Sequence, residues 1–226
     1  MSIPKNVIIN SLVFTFVLFS ASSCQPILKA FVGVNNVKQY SANEILIKSN
    51  RYHLANENLY EIRDTAYWAF IKSYEGKMLN NYYTFKDLYQ PLQVFSFDST
   101  GILQFHLINC KVGGFPNLKW DRYGYFDIAP LKMPSTLLSD STLKLNTIKE
   151  YYLPISINQD VSNTEFNECI IVYWNYFLGR QSKRLIKKIQ EYNINTNSNA
   201  YVYYVNTDNL FYLMSQDTSD KVLNSN

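Results

Sequence analysis

The stretch CIIVYWNYFLGRQSKRLIKKI, residues 169–189, carries the arrangement in this chain best suited to chemistry. An apolar run ends at Trp174, a turn surrounds Gly179, and Leu178, Ser182, Leu185, Ile189 and Tyr192 then follow at helical spacing. A side chain at the start of such a helix meets unpaired amides that favour an anion and acidify a thiol. No cysteine stands in the turn. The chain has three cysteines, Cys24, Cys110 and Cys169, and an N-terminal signal claims the first of them. Cys110 and Cys169 both lie in apolar stretches. Two readings therefore stay open, a disulfide in an exported chain or two buried free thiols.

Other chemistries have less to stand on. The two histidines, His53 and His106, have no neighbouring cluster of Cys or carboxylates and read as surface or strand-face residues, so no metal and no cofactor is expected. Phosphate-loop, dinucleotide and nucleophile-elbow glycine motifs are absent, and Gly113-Gly114 reads as a loop hinge. Nothing points to a Ser-His-Asp triad. A net charge of +3 and a pI of about 8.6 are too mild for a nucleic-acid footprint. Arg180, Lys183, Arg184, Lys187 and Lys188 nevertheless put five cations on one stretch of helix. They form either a solvated face or a contact for anionic head groups or an acidic partner. Trp120, Tyr123, Tyr125 and Phe126 either pack in the core or stack on sugar rings.

The elements that must position these residues follow from pattern. With 47% hydrophobic and 17% charged residues, the 226-residue chain has the composition of a folded protein. Ser41-Ala-Asn-Glu44 has capping-box spacing, so a helix starts there. Residues 59–74 carry apolar side chains near a 3.6-residue repeat and predict a second helix. Two apolar runs around Asp98-Ser-Thr-Gly101 predict a β-hairpin, and the aromatic run 118–128 between Pro116 and Pro130 predicts another strand. Residues 140–152 are mixed, and 155–168 read as a polar connection. The run 169–174 suits a strand buried on both faces, and Tyr201–Val205 is the next strand after the basic helix. Strand, helix and strand make one βαβ unit.

The N-terminus resembles a bacterial lipoprotein signal. Lys5 precedes the apolar run VIINSLVFTFVLF, residues 7–19, which is too short to span a bilayer, and the small residues of SASSC end at Cys24. Ala21 stands where that family prefers Leu. The resemblance implies lipid on Cys24 and anchorage to a bacterial membrane, with Gln25 favouring the outer one. Residues 1–23 then form a signal peptide, 24–40 a lipidated tether, 41–214 one globular domain and 215–226 a flexible tail.

The turn itself resembles the thioredoxin-like group, in which a buried strand ends in an aromatic and a Trp before a W-C-G-P-C motif opens a helix. Trp174 ends the strand here, Leu178 and Gln181 fall at the two cysteines, Gly179 at the glycine and Arg180 at the proline. Thiol-disulfide exchange needs an acidified thiolate and a second thiol one turn on. Leu178 and Gln181 supply neither. YVNTDN, residues 204–209, also resembles the family's next strand. QPLQVFSFDSTGIL, residues 90–103, is similar to its later hairpin, which a cis-proline precedes; here the hairpin comes first. The resemblance implies an α/β or α+β fold with a thioredoxin-like βαβ core at 169–206, circularly permuted. It also implies a non-catalytic interaction or scaffold lipoprotein of the cell envelope, with a protein partner that the sequence does not identify. A thiol-disulfide enzyme using Cys110 and Cys169, or a glycan- or ligand-binding lipoprotein, are the alternatives.

Overall fold

Ser41 opens the first helix, α1 (Ala42–Ser49), with the reciprocal cap its spacing predicts: Glu44 N donates to Ser41 Oγ at 3.4 Å, and Ser41 N donates to the Glu44 carboxylate at 2.8 Å. The computed structural model describes residues 33–54, 58–75, 85–132, 143–156 and 166–223. After a 3-10 turn, Asn50–Tyr52, come β1 (Asn58–Ile62), α2 (Asp64–Lys72), β2 (Gln93–Asp98), β3 (Leu103–Ile108) and the short α3 (Asn109–Val112). The chain continues through α4 (Leu145–Lys149), β4 (Tyr152–Ser156), β5 (Glu168–Trp174), α5 (Gly179–Thr196), β6 (Ala200–Asn206) and α6 (Asp208–Leu223).

One mixed sheet of six strands, in the order β3-β2-β5-β6-β1-β4, makes this an α/β fold. The strands β5, β6 and β1 run parallel, whereas β2 joins β5, β3 joins β2 and β4 joins β1 antiparallel. The hairpin and the βαβ unit therefore share one sheet, with the hairpin earlier in the chain. All seven residues of β5 are buried, as its unbroken apolar run predicts. Its alternate residues feed two cores. Ile170, Val172 and Trp174 meet α5 through Leu185, Ile186 and Ile189, while Cys169, Ile171 and Tyr173 share a core with Tyr67, Ile71 and Leu210.

At the hairpin, Asp98 Oδ1 accepts from Thr100 N at 2.9 Å and Ile102 N at 3.0 Å, and Gly101 takes φ 80, which favours glycine. Partial burial raises the Asp98 pKa and these hydrogen bonds lower it more, leaving it below the usual value.

Several expectations need correction. Residues 59–74 are not one helix. Its first four positions, 59–62, belong to β1, because Leu59 and Tyr60 find parallel partners in Tyr204 and Val205, and only from Asp64 does the chain coil. The run 118–128 is no strand. It turns back on itself around Gly124, at φ 66, and packs Leu118, Trp120 and Phe126 into the α5-side core. Strand β4 lies where mixed and polar sequence hid it, paired to β1 at the sheet edge. Among the described residues the prolines in cis are Pro116 and Pro130, not Pro91 before the hairpin. Of the segment read as a tether, residues 33–40 belong to the domain, with Asn35 N donating to Phe177 O at 2.7 Å. Ser215 and Asp217, read as tail, lie in α6, where buried Met214 and a Lys72–Asp217 ion pair at 2.5 Å hold the helix. Cys24 and the signal at 1–23 lie outside the described residues.

Candidate functional site

The turn between β5 and α5 is pinned by a buried polar network. Asn175 Oδ1 accepts from Leu178 N at 2.9 Å, and its Nδ2 donates to Pro91 O at 3.0 Å. Ser182 Oγ accepts from Asn175 N at 3.1 Å and donates to Asn175 O at 2.7 Å. From the start of α6, Asp208 accepts from Tyr176 N at 2.8 Å, Phe177 N at 3.2 Å and Asn206 Nδ2 at 2.9 Å. Every donor in that set is aimed at a protein acceptor.

The same turn is covered from outside. Tyr52 packs edge-on against Trp174 with ring centroids 5.3 Å apart, and a Cβ on Gly179 would stand 2.8 Å from the Tyr52 hydroxyl. A larger residue there would have to push the Tyr52 ring aside. Asn35 adds its Nδ2 to Tyr176 O at 2.7 Å, and Lys48 Nζ sits over the Tyr176 ring at 4.0 Å. Leu178 is half-buried at the helix start, and Gln181 is fully buried, donating to Pro116 O at 2.9 Å. The five motif positions, Trp174 and Leu178 to Gln181, thus meet at one strand-to-helix turn. None is a nucleophile.

Burial pushes the Asp208 carboxyl above its usual pKa, and the hydrogen bonds from Asn206, Tyr176 and Phe177 offset this only in part. An acid whose pKa is raised on folding binds its proton more tightly in the native state, so stability falls as pH rises from the ordinary Asp value of about 3.9 towards the raised one. Urea midpoints of the wild type and Asp208→Asn between pH 4 and 7 are expected to show this: the wild type loses stability relative to the variant as pH rises, then levels off. A flat or opposite difference would contradict the buried-carboxyl account.

The cysteines are both free, Cys110 exposed and Cys169 buried. Cys169 faces Phe97 across the ladder and Ile108, two residues before Cys110, faces Gln93. Those positions are four residues apart on β2, about 13 Å at ~3.3 Å per residue, well beyond the ~7 Å Cα limit for a bridge. Burial also pushes the Cys169 thiol up to about 12. This overturns the possible Cys110–Cys169 disulfide and, with it, a redox centre built on that pair.

His106 is buried in β3, its Nε2 2.9 Å from Gln93 Oε1 and its ring stacked 4.4 Å from Phe95, and burial holds its pKa well below the usual value. His53 sits at φ 61 after the 3-10 turn. Among the described residues no group of three or more His, Cys, Asp or Glu side chains could hold a metal ion.

The basic helix face meets the aromatic loop, a long-range contact that periodicity alone does not reveal. Arg180, Lys183, Arg184 and Lys187 are exposed, and Lys188 is half-buried in an ion pair with Asp121. Between α5 and residues 118–122 lies an open groove of about 420 Å³ walled by Trp120. Trp120 and Phe126 are 3% and 2% exposed, so neither offers a ring face to a sugar, whereas Tyr123 is 54% exposed.

A residue to which the sequence reading gives no role is Glu168. At 2% exposure it accepts from Ser96 Oγ at 2.5 Å, Leu131 N at 2.8 Å and Tyr192 Oη at 2.6 Å, joining hairpin, loop and α5. Comparison with protein-family models, with characterised proteins and with solved structures finds no match to this chain.

Proposed function

We propose that this is a non-catalytic interaction domain of the bacterial cell envelope, held to a membrane by lipid on Cys24 and built on a thioredoxin-like core that has lost its redox pair. The observation that carries the reading is the closed β5–α5 turn. Leu178 and Gln181 occupy the two positions that thiol exchange requires, and Asp208 and Tyr52 fill the space around them. A fold that keeps the turn and seals it serves as a scaffold. Among the described residues no helix is long and apolar enough to cross a membrane, so in this reading attachment rests on the N-terminal lipid.

Two measurements test this. The purified protein is expected to leave insulin disulfides intact in the presence of dithiothreitol at rates no greater than the uncatalysed control. Turnover above that control would overturn the non-catalytic reading. In cells fed a fatty acid analogue, the wild type should carry the label and Cys24→Ala should carry none. Equal label on both would remove the anchor.

A further inference from the structure

We propose, resting on the lipid-anchored reading above, that the exposed face of α5 and the groove beside it dock on an anionic phospholipid surface, with a headgroup phosphate seated in the groove walled by Trp120. On a helix of 3.6 residues per turn, Arg180, Arg184, Lys187, Glu191 and Ile194 share one face, opposite the buried Leu185, Ile189 and Tyr192. Lys183 and Lys188 flank that stripe. Ile194 is 78% exposed, and Tyr123, next in the chain to the groove-lining Arg122, is 54% exposed; apolar and amphipathic side chains of this kind suit the boundary between water and lipid.

Charge and orientation point the same way. The groove gathers five cationic side chains against two carboxylates. Asp121 holds Lys188 and Glu191 holds Lys187 at 3.4 Å, while Lys119, Arg122 and Arg184 make no ion pair among the described residues. Arginine presents a planar fork that matches phosphate oxygens.

The position of the tether selects a membrane over other anionic partners. Gly33 lies against Arg180, close enough that a Cβ there would stand 2.8 Å from the Arg180 Cβ. Gly33, the first described residue, therefore stands at the head of the basic stripe. Nine links separate Cys24 from Gly33 and reach at most about 30 Å, against about 27 Å for the length of α5. An acyl group on Cys24 keeps the whole stripe within reach of the bilayer.

The test uses the full lipidated chain, reconstituted in vesicles of phosphatidylcholine alone or with phosphatidylglycerol added, and lysine acetylation read by mass spectrometry. With phosphatidylglycerol, reactivity should fall about fivefold or more at Lys119, Lys183 and Lys187, and should return in roughly 0.5 M salt. Lys72 and Lys144, on elements packed against the other face of the sheet, should not change. The double variant Arg184→Glu, Lys187→Glu should lose the protection at Lys119 and Lys183. Equal reactivity on both vesicle types, or protection that survives the double variant, would overturn the docking face. Protection on neutral vesicles by inorganic phosphate alone, with none from phosphatidylglycerol, would overturn it in favour of a free-anion site. The anchor is read separately, by the acyl mass on Cys24 and by co-sedimentation with neutral vesicles, so its failure is distinct from failure of the groove.

Discussion

Replacing Glu168 by alanine is expected to lower folding stability by on the order of 3–5 kcal/mol. The carboxylate is buried and takes hydrogen bonds from Ser96, Leu131 and Tyr192, which belong to β2, the covering loop and α5. Alanine leaves all three donors without an acceptor, and each buried orphan costs about 1–3 kcal/mol, less whatever local relaxation or water recovers. Glutamine is the informative control. Its oxygen can serve Ser96 and Leu131, and the Tyr192 hydroxyl can turn to accept from the amide, so Glu168→Gln should cost only about 1 kcal/mol. Urea denaturation of the three proteins reads both values. Alanine and glutamine equal within about 0.5 kcal/mol would show that the hub does not hold these elements together.

Truncation of Leu185 to alanine should cost about 2–5 kcal/mol, while Lys187→Ala should stay within about ±0.5 kcal/mol. Leu185 is fully buried among Ile170, Val172 and Val202, where the deletion leaves a cavity in addition to the lost transfer energy. Lys187 is exposed, with only an i,i+4 contact to Glu191. The pair separates the face of α5 that builds the protein from the face that meets its surroundings. Equal losses at the two sites would refute the orientation of the helix.

The parts of this fold legible in the sequence are those whose signals are local. Ser41 and Glu44, Asp98 to Gly101, and the apolar stripe of α5 each act within a few residues, and each forms the element expected. Strand β1 was hidden because its helical periodicity lost to pairing with β6, a partner that only the tertiary fold supplies. The aromatic run 118–128 looked like a strand because rings suit strands, yet among the described residues it has no ladder partner and packs its side chains into the α5-side core instead. At the candidate site, the motif positions 174–181 were readable by spacing. The roles of Asp208 and Glu168 were not, because a lone acidic residue carries no mark of what will surround it. The Asn206-x-Asp208 spacing was the one available signal for the first, and its use as a staple for the turn appears only with the sheet assembled.

The order of strands in the sheet also governs when the protein can fold. The central strand β5 pairs with a hairpin made far earlier in the chain, with Ser96 and Glu168 72 positions apart, and Tyr40 near the start binds Asn209 near the end across 169 positions. As the chain emerges from its N-terminus, β1 and the hairpin wait with unsatisfied edges until β5, α5 and β6 arrive. Such non-local closure slows folding and keeps sticky edges open while it lasts. A chain of this topology completes its central sheet only once its last quarter has been made.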